Sequence, residues 1–247
     1  MKIPERASVI KQKRTWLIVA VVLVVIIAGV AILSDLRYAN VSKSLNNDYR
    51  RAKQSAQAIV PDSKAGREDR LKAVNELSIQ VTVKCQGEWW NAWYGVLIPS
   101  AQERVKDCMA KTIKLRAISQ AANRLQEYLK DDDKVSKTLE VLKIATGSND
   151  WQKTALASAE STRRDLEKIA VTKDNKVLLA TSKEKVSAII AKWNALNTAA
   201  SKQDKTAYLQ AQTELAGSYA DLGAISDVSD AQVEKLVGAL YAKSSML

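Results

Sequence analysis

The 247-residue chain has no histidine and no phenylalanine, and glycine, proline and cysteine number only 8, 3 and 2. Each shortage excludes something. Without His, the usual hydrolytic triads and His-ligated zinc sites have no candidate, since His is the side chain that titrates near neutral pH and the commonest metal ligand. Two Cys alone cannot complete a tetrahedral zinc site. With so little Gly and Pro, the many tight turns of an all-β fold lack their residues, and a chain rich in Ala, Leu, Lys, Gln and Ser reads as helix. There is also no Gly-rich phosphate loop, no G-x-S-x-G elbow and no cluster with metal-ligand spacing. No catalytic, metal or cofactor residue is therefore expected, and the chain does not read as an enzyme. A carboxylate-based wall hydrolase built around Glu88 is the weak catalytic alternative.

Residues 16 to 33 are uncharged and almost wholly apolar, from Trp16 to Leu33. At about 1.5 Å per residue they nearly cross a hydrocarbon core of about 30 Å. Lys11, Lys13 and Arg14 precede the run as interfacial anchors, and Trp16 suits the headgroup level. Counting cations close to the run favours a cytoplasmic N-terminus, although Arg50, Arg51 and Lys53 narrow the difference over a wider window. A cleaved signal peptide, with Gly29 and Ala31 near its cut, is the rival, but this run exceeds the usual h-region of about 7 to 15 residues. The expected division is a basic cytoplasmic tail over 1–15, a signal-anchor helix over 16–34 and an extracytoplasmic helical domain over 35–247.

Net charge is +11, of which the first fifteen residues supply +4 from five Lys/Arg and one Glu. The remaining +7 is spread along the chain without a run of five or more like charges. It reads as solvated helix surface with no nucleic-acid motif.

After the span, Tyr38, Val41, Leu45, Tyr49, Ala52, Ala56 and Ile59 recur every three or four residues, so a stalk or first helix over 35–60 continues from the membrane. Pro61 to Gly66 then breaks the pattern. A second helix from Arg67 places Leu71, Val74, Ser78, Val81 and Cys85 on one face. A third starts at Ser100, whose hydroxyl and the Glu103 carboxylate form a capping box. It carries Val105, Cys108, Thr112, Leu115, Ala122, Leu125 and Leu129 and is expected to end at Asp131, Asp132 and Asp133. That triplet lacks the Gly and spaced ligands of a calcium loop and reads as a turn. Further helices are expected over about 134–144, 150–170, 183–199 and 204–222. Ser229 to Gln232 reads as a second capping box, ahead of Val233, Leu236, Val237 and Leu240. The fold class is all-α: an N-terminal transmembrane helix followed by an elongated antiparallel helical bundle with coiled-coil character, its antiparallel neighbours implied by short links. The hairpin over 67–130 and the helices over 134–247 complete it.

Cys85 and Cys108 are equidistant from the reversal expected over Gly95–Pro99, so in an antiparallel hairpin their Cβ atoms meet and a disulfide is expected. Between them lie Trp89, Trp90, Trp93 and Tyr94. Plugging a Phe-free core is one use for these rings. Presentation at a clamped tip as a binding surface is the other, and they are the candidate binding residues. Trp151 and Trp193, isolated on helical stripes, read as core.

The functional expectation is a membrane-anchored cell-envelope binding or scaffold protein, single-pass, whose partners are the lipid bilayer and a protein or wall polymer outside the cytoplasm. A sensory ectodomain is the alternative. It would work through a separate transducer, since the fifteen-residue tail has no room for a signalling domain.

Overall fold

A computed structural model describes residues 5–59, 66–86, 99–143 and 151–245, and every regular element among them is helical. The helices are α1 (Glu5–Gln57), α2 (Arg67–Gln86), α3 (Pro99–Glu140), α4 (Trp151–Lys168), α5 (Lys176–Ser201), α6 (Lys205–Ala220) and α7 (Gly223–Ser245), with a 3₁₀ turn over Val141–Lys143 after α3. The all-α expectation is met.

Three boundaries differ from those read in the sequence. Helix α3 does not stop at the acidic triplet but runs through it for 42 residues. Each of the three carboxylates has a donor that leaves the helix intact: Asn175 and Lys134 for Asp131, Ser229 for Asp132, and Lys137 for Asp133. Helix α5 begins at Lys176 rather than Lys183, because Leu178, Leu179 and Ser182 face inward and the Ser182 hydroxyl donates back to the Leu178 carbonyl at 2.8 Å. Helix α7 begins at Gly223, so Ser229 caps nothing. It is buried six residues inside the helix.

The buried residues follow the 3.6-residue period. On α1, Leu45, Ala52, Ala56 and, just past its end, Ile59 are buried; Asp48 is buried beside half-buried Tyr49. On α2, Leu71, Val74, Ser78 and Val81 are buried as expected. On α3, the inward line is Arg104, Cys108, Leu115, Ile118, Ala122, Leu125, Tyr128, Val135, Leu139 and Leu142. Its steps of three, four or seven are those of a heptad seam. Val105, Thr112 and Leu129, expected on that line, are half-buried beside it.

The chain divides into two compact units: residues 1–54 with 76–116, and residues 55–75 with 117–247. In unit one, Arg104 pairs with Asp35, and the Lys111 ammonium donates to Asn46 at 2.7 Å. The partners rise together along both helices, so α1 and α3 run parallel there. Lys84 of α2 donates to Ser44 at 2.7 Å and pairs with Asp48.

In unit two, α5 packs against α4, α6 and α7. Lys192 pairs with Glu214 at 2.6 Å and Lys185 with Asp221 at 3.4 Å; one position rises as the other falls, so α5 and α6 form an antiparallel hairpin. Its turn is three residues long. The Asp204 amide bonds the Ala199 carbonyl and the Gln203 amide the Ala200 carbonyl, a Schellman ending with Gln203 in the left-handed region at φ 56°. Asp204 then caps α6 through the Ala207 amide at 3.0 Å.

One segment obeys no burial rule. Trp16–Leu33 of α1 has a mean hydropathy of 3.3 and none of it is buried, so by length and composition it could cross a membrane.

Candidate functional site

The four aromatic binding candidates Trp89, Trp90, Trp93 and Tyr94 lie outside the described residues. Their flanking cysteines lie inside. Cys85 and Cys108 have their sulfurs 2.13 Å apart and their Cα atoms 5.5 Å apart, closing a stretch of 23 residues. Other interactions of unit one involve neighbours of Cys108 in α3. Lys111 reaches Asp107 at 2.5 Å, and the Tyr49 phenol is pushed above its usual pKa, first by burial and then by the charge of Asp107.

Unit two holds a groove of about 1170 Å³ between α3 and the α6–α7 corner. Its apolar surface comes from Leu129 and Leu139 of α3 and from Leu222, Ile225 and Val233, and it exists because the heptad seam of α3 turns the same face toward the start of α7. Carboxylates also line it: Asp132 and Glu140 on α3, and Asp227, Asp230 and Glu234 on α7. Buried Arg67 is the one cation of the lining among the described residues.

A polar relay fixes the groove wall. The buried Tyr128 hydroxyl reaches Ser229 Oγ at 3.4 Å, and Ser229 Oγ donates to Asp132 Oδ1 at 2.6 Å. Burial pushes the Tyr128 phenol up, the bond to Ser229 opposes that, and the charges of Asp132 and Asp230 add to it. The relay ties Tyr128 and Asp132 of α3 to Ser229 of α7 and so holds the two helices in register.

A second relay fastens the loop before α5. Arg124 forks onto Asp174 through Nε and Nη2 at 2.9 and 2.6 Å. Fully buried Asn175 exchanges bonds with Thr172 and donates to Asp131 at 2.7 Å and to the Ala170 carbonyl at 2.9 Å. Both amide protons and the amide oxygen of Asn175 are engaged, as a buried amide requires.

Among the described residues no group of three or more His, Cys, Asp or Glu could hold a metal ion. The groove carboxylates are thus a spread set, not a coordination shell. Of these, the sequence read Asp132 as part of a turn and Asp230 as part of a capping box, and only the true lengths of α3 and α7 bring the set to one place. Comparison with family models, curated proteins and solved structures returned no match, so the site's own chemistry must carry the reading.

Proposed function

We propose that the chain is a single-pass membrane protein of the cell envelope that works as a binding or scaffold protein: N-terminus cytoplasmic, Trp16–Leu33 in the bilayer, and an elongated helical bundle outside. One observation carries this. An 18-residue apolar stretch of hydropathy 3.3 stands unburied on all faces, in the same helix whose later residues follow an amphipathic stripe. Water is a poor solvent for such a surface, whereas its thirteen Leu, Ile and Val residues each favour the bilayer centre by about 0.3–0.6 kcal/mol. The charge of Lys11, Lys13 and Arg14 before the span supports the orientation. The Cys85–Cys108 pair at bonding distance fits an oxidising compartment for the domain.

Added protease distinguishes the orientations. Spheroplasts treated from outside should lose the C-terminal domain while keeping a membrane-embedded N-terminal stub. Protection of the domain until lysis would overturn the orientation, and recovery of the intact chain in the soluble fraction would overturn the anchor.

A further inference from the structure

We propose that the groove of unit two is the docking site for a basic, amphipathic helical segment of a partner protein. The inference goes beyond the membrane reading and stands without it. The argument begins with charge balance: the chain has 38 Lys and Arg against 27 Asp and Glu, so cations are not scarce. In unit two Asp131, Asp133, Asp165, Asp174, Asp221 and Glu214 each hold a cation of their own. Glu140, Asp227, Asp230 and Glu234 make no ion pair among the described residues; Glu127, Glu160 and Glu184 make none either, but only the first four are gathered along one groove.

Their register identifies what fits. Asp227, Asp230 and Glu234 stand at i, i+3 and i+7 on α7 and share one face over about 10 Å. Lys or Arg at matching positions of a helix laid along α7 would meet them in turn. The accessible apolar side chains of the lining, half-buried Leu129 and Leu222 and exposed Ala231, would take that helix's hydrophobic stripe, the helix-in-groove mode. A metal ion does not fit, since no three of these carboxylates come together as ligands. A purely polar polycation would leave the apolar floor uncovered. Opposed potentials across such an interface set partner choice and association rate and respond to salt.

The test uses the full-length chain in nanodiscs of zwitterionic lipid, with empty discs as the blank. The probes are a fluorescent Leu/Lys amphipathic peptide, its Leu/Glu counterpart and spermine as competitor. The Leu/Lys peptide should bind, more weakly as salt rises. The triple variant Asp227→Asn, Asp230→Asn, Glu234→Gln should lose about ten-fold in affinity or more, and Glu234→Gln alone a smaller part, with the melting temperature unchanged because the three side chains are exposed. Equal affinity of wild type and triple variant would overturn the proposal. Equal binding of the Leu/Glu peptide, or displacement by spermine at matched charge, would overturn the amphipathic partner. A chain that stays out of the discs counts against the membrane reading, and the same assay is then run in plain buffer.

Discussion

In unit one, the buried apolar side chains among the described residues are Leu45, Ala52, Val81, Cys108 and Leu115, whereas unit two buries Trp193, Tyr128 and most of the long aliphatic residues. Unit one compensates with Lys84–Asp48, Arg104–Asp35 and the Cys85–Cys108 link. Arg104–Asp35, with Asp35 exposed, contributes about 0–1 kcal/mol; the part-buried Lys84–Asp48 pair offsets much of its attraction by desolvation; and a cross-link closing some 23 residues contributes about 3 kcal/mol in the chain-entropy model. The covalent bond therefore outweighs the charges in unit one, while volume does the equivalent work in unit two. The two units should answer to different perturbations.

The largest response should come from Trp193. It is 2% exposed and its Nε1 donates to the Tyr219 hydroxyl at 3.2 Å. Trp193→Ala should cost about 3–5 kcal/mol through the cavity it leaves, read as a fall in denaturation midpoint with faster amide exchange in α5 and α6. A loss under about 1 kcal/mol would mean that unit two does not rest on its core. Next in size is the cross-link. Cys85→Ser with Cys108→Ser should cost about 3 kcal/mol and speed exchange in α2 and the first half of α3, leaving α5 to α7 as they were. Faster exchange in α5 to α7 as well would erase the distinction between the units.

Ser229 tests how unit two places polar groups inside its apolar frame. Ser229→Ala removes the donor to half-buried Asp132 and leaves the buried Tyr128 hydroxyl only the Ser229 carbonyl, at a cost of about 1–3 kcal/mol. A double-mutant cycle with Asp132→Ala should then show coupling of about 1 kcal/mol. Additive effects would show that Ser229 and Asp132 do not act as one network. Gln203 tests the hairpin turn. A residue other than Gly in the left-handed region costs about 1–2 kcal/mol, and Gly's extra freedom when unfolded takes back about 0.5–1. Gln203→Gly should stabilise unit two by about 0.5–1 kcal/mol; a destabilisation would show that the turn is not strained.

Periodicity made the stripes legible in advance: Leu71, Val74, Ser78 and Val81 on α2, and Val233, Leu236, Val237 and Leu240 on α7, are buried as their spacing indicates. Polar residues were the ones misread. Ser229-x-x-Gln232 has the composition of a capping box, and the Asp triplet that of a turn, because local sequence cannot show that Ser229 and Asp132 meet across 97 positions and satisfy each other inside two helices. The same blindness hid the groove. Glu140 and Asp227 look like scattered solvated charges in the sequence, and only the fold brings them to one groove.

The smallest expected effect concerns acid, and it bears on unit two alone. The Arg124 fork holds the Asp174 carboxyl below its usual value, first by hydrogen bonding, against an opposing contribution from burial. A carboxyl with a depressed folded pKa adds stability above its unfolded value of about 3.9, and loses it as pH falls through the folded value. Lys168 and Lys192 likewise hold Asp165 and Glu214 low, by hydrogen bonds first. The acid slope of the whole chain thus has several sources, and only a difference isolates one of them. Urea unfolding of wild type and Asp174→Asn should show a gap at pH 7 of about 0.2–1 kcal/mol, no larger because Arg124 is half exposed. The gap should shrink with added salt, begin to shrink as pH falls below about 4, and close below the depressed folded value, where the folded wild-type carboxyl also takes up a proton. A gap that persists unchanged at pH 3 would show that the Asp174 charge is not what fastens the loop to α3, and would leave that task to Asn175.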